Sequence, residues 1–158
     1  MLIGEAEYDG VPAWLSSQFS PPAHAYPWPL NNTSGFSTWA CGYFTQQISQ
    51  SFQELYTNHK AEFARVWREI ALRFRDNSGV LGYELMNEPW TGDFYQDLSL
   101  LLPGNAGYYL LEPFYNVASA AIREVDEEKL IFWEPVTYAY FINVCITPQF
   151  SSPLTDPS

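Results

Sequence analysis

The stretch VLGYELMNEPW, residues 80–90, joins an apolar run to an abruptly polar end. The run of residues 80–86 is short and largely apolar, which predicts a short β-strand. An amide, a carboxylate and a proline follow it, as Asn87, Glu88 and Pro89. Proline cannot donate to a β-ladder and disfavours helical geometry at the residue before it, so the strand is expected to bend or end here.

A second apolar run further along the chain has a similar ending. Residues 129–133 precede Glu134 and Pro135, and residues 111–125 carry apolar side chains at helical spacing between the two runs. Together these segments predict a βαβ unit with parallel strands and a right-handed crossover. The predicted fold class is α/β, with both polar strand ends at the carboxyl edge, where open α/β sheets and β/α barrels carry their active sites.

The rest of the chain is predicted to hold two more helices and two long loops. Apolar residues recur at helical spacing over 44–56 and 63–74, and the Asn-Ser-Gly sequence at 77–79 is typical of a helix end. Residues 4–42 and 89–107 are predicted to be loops. With 158 residues, of which 47% are hydrophobic, the chain is long enough for one domain with a sizeable core.

The charge balance narrows the class of partner. The chain has 7 Lys and Arg against 18 Asp and Glu, which gives a net charge of −11. Nucleic acids and anionic membrane surfaces recruit basic patches, so the charge argues against both. No apolar run approaches the roughly 20 residues that a transmembrane helix needs. A neutral or apolar partner is expected instead.

Consecutive residues of the first strand point to opposite faces of the sheet. The face expected to pack under helices holds Leu81, Tyr83 and Leu85, and the face expected to line a barrel holds Gly82, Glu84, Met86 and Glu88. Glu88 would emerge at the rim between Met86 and Trp90, where partial burial disfavours an ionised carboxyl and suits it to a general acid. With the Asn87 amide to hold a substrate hydroxyl, this arrangement suits glycoside hydrolysis. The alternative is that Asn87 and Glu88 only cap the next turn.

At this point the sequence becomes recognisable as a member of a family. VLGYELMNEPW, followed by TGDFYQD, resembles the acid/base strand of glycoside hydrolase family 5, a (β/α)8-barrel family of retaining glycosidases. It resembles more narrowly the endoglycoceramidase-like members, which cleave the glycan from the ceramide of glycosphingolipids. GVPAW, FARVWREIALRFRDNSG, LLLPGNAGYYLLEPFYNVASAAIREVD and LIFWEPVTY support this. The resemblance is strongest over residues 4–140 and fades in a divergent tail, 141–158.

The resemblance implies a role for each residue of the polar strand end. It implies that Glu88 is the general acid/base of a retaining O-glycosyl hydrolase and that Asn87 binds the sugar 2-hydroxyl beside the scissile bond. The implied substrate is a glycolipid or oligosaccharide, with glycosphingolipid favoured. Neither a metal nor an organic cofactor is implied. The alternatives are a cellulase-like or glucosidase-like hydrolase on the same barrel and a non-catalytic relative that binds glycan or lipid.

The length of the chain bears on how much of such a barrel it contains. A (β/α)8 barrel takes about 250 residues. Residues 1–158 are therefore expected to be a partial catalytic domain, running roughly from the loop after strand 3 through strand 5. The nucleophilic Glu of the family is expected outside this chain, and the 158 residues alone are expected to be inactive.

Three further residues are candidates for contact with substrate. Trp90 and Trp133 could stack on sugar rings, although tryptophans in an aromatic-rich protein are often part of the core. Glu134 could line the substrate site, with a rim carboxylate bonded to loop amides as the alternative. Retaining enzymes need two carboxyl groups about 5–5.5 Å apart. Glu134 is not expected to be the second, because it follows the strand next to that of Glu88.

The remaining polar residues carry less information. His24 and His59 have no ligand partners at metal spacing and are expected at the surface. Cys41 and Cys145 could form a disulfide or remain free thiols.

Asn31 and Asn32 each begin a sequon for N-glycosylation in a proline-rich loop, which would suit a secreted, lysosomal or extracellular protein. No signal peptide is visible at the start of the chain. The oligomeric state is left open by the sequence.

Overall fold

The computed structural model of the protein describes residues 46–137. Its elements in chain order are helix α1 (Gln46–Thr57), helix α2 (Lys60–Phe74), strand β1 (Gly82–Glu84), a 3-10 helix (Leu98–Leu101), a π-helical turn (Gly107–Leu111), helix α3 (Glu112–Arg123) and strand β2 (Leu130–Phe132). Outside the described residues lie the predicted loop 4–42 and the tail 141–158, as well as His24, Asn31, Asn32, Cys41 and Cys145.

The two strands pair as the sequence predicts. β1 and β2 run parallel, with Tyr83 opposite Ile131, and α3 lies between them in the chain. Two more backbone hydrogen bonds carry the pairing beyond β1: the Leu85 amide donates to the Phe132 carbonyl at 3.0 Å, and the Leu130 amide donates to the Leu81 carbonyl at 3.4 Å. Both strands are shorter than the apolar runs that predicted them, because an apolar pattern reports burial whereas a strand requires backbone pairing.

Local sequence explains where the helices begin and end. Pro113 lies in the first turn of α3, where its missing N–H is not needed. α2 ends at Phe74, and shortly after it the Asn77 side chain accepts a hydrogen bond from the Gly79 amide at 2.9 Å. This local bond stabilises a turn and competes with continuation of the helix. Within residues 46–137 no helix is long and apolar enough to cross a membrane.

The helices bury one face of the strand pair. α2 packs on α3 through the rings of Phe63 and Phe114, whose centroids are 4.5 Å apart. Tyr56 of α1 makes an edge contact with Phe114 at 5.0 Å. Tyr83 and Leu85 are buried in the same core, as expected. Each large apolar side chain buried in this way contributes about 1.5–3 kcal/mol.

The prediction for Leu81 is wrong. Its side chain is 73% exposed, whereas Tyr83 is 3% exposed. The Leu81 carbonyl still accepts a hydrogen bond from the Leu130 amide at 3.4 Å, so the backbone pairing reaches Leu81. Its exposure shows that the helices do not cover this end of the strand pair. Glu84 is exposed on the opposite face, as the alternation predicts.

Candidate active site

Beyond β1 the chain turns sharply at Glu88. Glu88 has a φ of 44° and is the one non-glycine residue with positive φ among residues 46–137. For a residue with a side chain, this left-handed conformation costs about 1–2 kcal/mol. Right-handed helical geometry is itself disfavoured before Pro89. The strand therefore ends in the bend that the sequence predicts, but in a strained form.

Two hydrogen bonds from the segment after β2 hold this turn. The Glu88 N–H donates to Oε2 of Glu134 at 2.9 Å, and the Thr137 N–H donates to the Pro89 carbonyl at 3.1 Å. A hydrogen bond to a charged group contributes about 1.5–3 kcal/mol. That is comparable with the strain at Glu88, so the bond to Glu134 is strong enough to offset it. Residues 134–137 are called the clamp below.

The clamp is itself attached to α3. The Tyr115 hydroxyl donates to the backbone carbonyl of Glu134 at 3.1 Å, and Tyr115 is completely buried. Burial raises the pKa of Tyr115, and the nearby Glu134 carboxylate raises it further. The hydroxyl therefore stays protonated at neutral pH and remains a donor to the clamp.

Four of the predicted site residues lie at the carboxyl edge of the strand pair. Asn87 is exposed and Glu88 is partly buried, and both follow β1. Trp133 is 36% exposed and follows β2, with its ring centroid 6.5 Å from that of Tyr115. Glu134 bonds to the amide of the neighbouring turn, which is the arrangement given above as its alternative. The edge thus combines an amide, a carboxyl and a partly exposed indole.

Trp90 does not belong to this exposed group. Its side chain is 2% exposed, and its indole N–H donates to the Ser49 hydroxyl at 3.1 Å. The Tyr56 hydroxyl donates to its backbone carbonyl at 3.0 Å, and Phe94 packs on its ring. The expectation that Trp90 stacks on a sugar is therefore corrected, because neither face of a ring packed into the core is open to a substrate.

Sequence reasoning missed Tyr115 and Thr137. Tyr115 was predicted only as part of the apolar face of a helix, and Thr137 was not singled out. A signal for Tyr115 was present, since a buried tyrosine hydroxyl usually finds a hydrogen-bond partner. The partner itself depends on the fold, because Glu134 is 19 residues away in the chain.

Asp93 is another buried carboxyl in the loop after β1. Burial raises its pKa, and it is 4% exposed. Its Oδ1 accepts a hydrogen bond from the Tyr95 amide at 3.2 Å, and its own amide donates to Oε1 of Gln53 at 3.2 Å. The first contact is local and the second attaches the loop to α1, so Asp93 has a structural role in shaping the loop.

A metal centre finds no support in the described part of the chain. Residues 46–137 contain no group of three or more His, Cys, Asp or Glu side chains placed to hold a metal ion. His59 lies 4.0 Å from a carboxylate oxygen of Glu62, one turn further along the chain. This contact does not involve the carboxyl edge.

The sequence is similar to that of one family of enzymes. It matches the family described as Cellulase (glycosyl hydrolase family 5) over residues 24–156. It is similar to an endoglycoceramidase of Hydra vulgaris, with 39% identity over 150 residues, and to one of Cyanea nozakii, with 37% identity over 148 residues. Each alignment covers 84% of this chain and 29% of the relative. The chain thus spans less than a third of the length of these curated relatives.

Comparison with solved structures points to the same family. The fold is similar to that of endo-glycoceramidase II from Rhodococcus sp. in its complex with ganglioside GM3, with a TM-score of 0.61 and 26% identity over 80% of this chain and 26% of that one. The lactosyl-enzyme intermediate of the Rhodococcus protein gives the same TM-score and identity, over 80% of this chain and 27% of that one. The family and these structures imply a (β/α)8 barrel. The chain belongs to glycosyl hydrolase family 5.

Proposed function

We propose that this chain is the part of a retaining glycosidase that carries the general acid/base, and that the enzyme cleaves the bond between glycan and ceramide in glycosphingolipids. The observation that carries the proposal is the position of Glu88, held in a strained turn at the carboxyl edge of β1 in a member of this family. Active sites of β/α barrels lie at this edge. The names of the similar relatives favour the glycolipid substrate.

In the proposed reaction Glu88 acts twice. It first donates its proton to the oxygen that leaves with ceramide, while a carboxylate outside this chain attacks the anomeric carbon and forms a glycosyl-enzyme. Glu88 then takes a proton from water as the water attacks the same carbon and releases the nucleophile. The lactosyl-enzyme intermediate known for the Rhodococcus protein supports a two-step route of this kind.

Asn87 and Trp133 are the proposed substrate-binding residues. The Asn87 side chain is exposed next to the acid/base and could bond to the sugar 2-hydroxyl. The Trp133 ring is partly exposed at the end of the neighbouring strand, where it could support the apolar face of a sugar ring. We do not extend this role to Trp90, whose ring is buried.

Within the barrel, β1 and β2 are the proposed fourth and fifth strands. They are adjacent and parallel, so Glu134 sits beside Glu88 and contacts its backbone. A retaining nucleophile must instead approach the sugar from the face opposite the acid. The proposed nucleophile is therefore a carboxylate from another strand of the complete barrel.

The test replaces Glu88 with Gln in an enzyme that contains this chain together with the remaining strands. Glu88→Gln keeps the size of the side chain but removes the transferable proton. General acid–base catalysis is worth about 10²–10⁴-fold, so hydrolysis of glycosphingolipid should fall by at least that lower figure. Glycosides with an activated aryl leaving group should lose much less in kcat/KM, because their oxygen needs little protonation.

The matched control is Glu127→Gln, which changes an exposed glutamate away from the carboxyl edge. It should hydrolyse both substrates at the original rate. Near-normal hydrolysis of glycosphingolipid by Glu88→Gln would refute the proposal. A cellulase-like specificity, favoured by the name of the matched family, is tested in the same assay: activity on soluble β-glucan without activity on glycosphingolipid would establish it instead.

A location outside the cytosol is also proposed, on the basis of the sequons at Asn31 and Asn32. Their use in a secreted or lysosomal protein would leave glycans that a glycan-removing amidase cleaves. A shift in electrophoretic mobility after that treatment, lost in Asn31→Gln combined with Asn32→Gln, is the expected result. An unchanged mobility would contradict the proposed location.

A further inference from the structure

The direction of the Glu88 side chain depends on a backbone conformation that the residue does not favour by itself. At a φ of 44°, its Cβ leaves the main chain in a different direction from that in an extended strand. The residue before a proline otherwise prefers extended geometry. A return to that geometry would keep Glu88 in place in the chain but swing its carboxyl group away from its present position.

The group that fixes this conformation is the Glu134 carboxylate. Its Oε2 accepts the Glu88 N–H at 2.9 Å, and a charged acceptor makes a stronger hydrogen bond than a neutral one. The contact is between side chain and backbone, so it constrains the main chain at Glu88 and leaves the Glu88 carboxyl free for other partners.

Glu134 is well placed to act as a fixed support. The backbone hydrogen bond from the Leu85 amide to the Phe132 carbonyl fixes the register of the two strand ends. The buried Tyr115 hydroxyl holds the Glu134 carbonyl, and the Thr137 amide bonds to Pro89 on the far side of the turn. The support is therefore attached on both sides, to α3 and to the turn that it holds.

We propose that Glu134 is a positioning residue for the acid/base: its carboxylate holds the strained backbone of Glu88, so that the Glu88 carboxyl points at the leaving-group oxygen. This inference rests on the proposed function of Glu88. Glu134 takes no part in bond making or breaking. Its loss therefore affects the steps that need Glu88 and no others.

The test compares Glu134→Ala, Glu134→Gln and the control Glu127→Ala in an enzyme that contains this chain with the remaining strands. A misplacement of about 1 Å in a catalytic group costs about 10²-fold in rate. Glu134→Ala is therefore expected to lower kcat on glycosphingolipid by about 10- to 100-fold, with KM changed little. On an activated aryl glycoside kcat/KM should fall several-fold less. Glu134→Gln keeps an oxygen acceptor and should recover much of the loss.

A double-mutant cycle separates positioning from a general structural role. In a Glu88→Ala background, Glu134→Ala should cause no further loss of kcat/KM, because the group that it positions is already absent. An equal loss on both substrates, or an undiminished loss in the Glu88→Ala background, overturns the inference. If Glu134→Ala fails to fold by circular dichroism, Glu134→Met, which keeps the length of the side chain but has no oxygen acceptor, is put through the same cycle, with the same outcomes.

The outcomes also distinguish this inference from the proposed function. A normal rate for Glu134→Ala beside an impaired Glu88→Gln refutes only the positioning role. A normal rate for Glu88→Gln on glycosphingolipid refutes the proposed function itself, whatever Glu134→Ala does. Complete inactivity of a folded Glu134→Ala on the aryl glycoside as well would overturn the positioning role and would count against the exclusion of Glu134 as the nucleophile.

Discussion

At the amino edge of the strand pair, the buried Asp126 carboxylate accepts hydrogen bonds from the Tyr83 hydroxyl at 2.6 Å and from the amides of Glu128 and Lys129, each at 3.1 Å. At the carboxyl edge, the Glu134 carboxylate accepts one from the strained backbone of Glu88. Both carboxylates join β1 to the segment around β2. Asp126 does so among unstrained residues in the core, whereas Glu134 holds a conformation that costs free energy.

This difference between the two edges is typical of β/α barrels, in which residues at the amino edge contribute to stability and residues at the carboxyl edge carry out catalysis. The pKa of Tyr83 agrees with a structural role for the amino edge. Burial, together with the hydrogen bond to Asp126, raises the pKa of Tyr83 to about 12. The hydroxyl is therefore a permanent donor. Substitutions at the amino edge should change stability, and substitutions at the carboxyl edge should change activity.

The largest change in stability is expected from Gly82→Ala in β1. A Cβ on Gly82 would collide with the Leu130 carbonyl oxygen and lie 2.8 Å from the Phe132 ring. Because the first obstacle is backbone of the paired strand, it cannot rotate away as a side chain could. We expect the free energy of unfolding to fall by about 3 kcal/mol, the upper range for overpacking. Urea denaturation measures it, with Gly79→Ala in the exposed turn as the control; equal midpoints for the two variants would contradict this.

A loss of intermediate size is expected from Asp126→Ala. This change leaves the amides of Glu128 and Lys129 without their acceptor, and it leaves the buried Tyr83 hydroxyl with only the longer contact to the Ala71 carbonyl, at 3.4 Å. One unsatisfied buried group costs about 1–3 kcal/mol. We expect a loss of about 2 kcal/mol in urea denaturation, and no effect on the ratio of rates on natural and aryl substrates. Glu127→Ala, at the exposed neighbouring position, should change neither. A change in the ratio of the rates on the two substrates would mean that the amino edge also affects catalysis at the carboxyl edge.

The same carboxylate predicts a dependence of stability on pH. Burial raises the pKa of Asp126, but the bonds from Tyr83 and the amides of Lys129 and Glu128, with the Lys129 charge, outweigh it and lower the pKa overall. A lowered pKa in the folded state means that the contribution is present above the unfolded value of about 3.9 and is lost as the pH falls through the folded value. The difference in stability between the original protein and Asp126→Ala should therefore be constant from pH 7 to 5 and shrink below about pH 4. A difference that grows on acidification would contradict the assignment.

The smallest effect is a gain, expected from Glu88→Gly at the carboxyl edge. Glycine adopts positive φ without the side-chain penalty of about 1–2 kcal/mol, but it loses about 0.5–1 kcal/mol more entropy on folding. The net expectation is a protein about 0.5–1 kcal/mol more stable in urea denaturation and inactive on glycosphingolipid. Glu127→Gly, in an ordinary conformation, should not be stabilised. A destabilised Glu88→Gly would show that the carboxyl side chain has contacts that outweigh the strain.

Some of these features could be predicted from short stretches of sequence. The βαβ unit, its parallel strands and the burial of Tyr83 and Leu85 followed from apolar spacing, since that spacing reflects which face meets the core. The expectation that Glu88 and Glu134 lie at one edge also held, because parallel strands end on the same side. Leu81 was mispredicted because alternation gives the face to which a side chain points, whereas its burial depends on whether the helices extend over that end of the strand.

What the sequence determined by itself was the order of the elements, the edge at which the polar strand ends meet, and, through its motifs, membership of the family. Only the tertiary structure decided that Trp90 turns inward and that Glu134 binds the Glu88 amide. Trp90 is held by Ser49, 41 residues away in the chain, and Glu88 by Glu134, 46 residues away. Periodicity describes the direction of a side chain relative to its own strand or helix. The partner that a polar group finds at the end of a strand depends on how distant elements pack, and the packing alone set these two contacts.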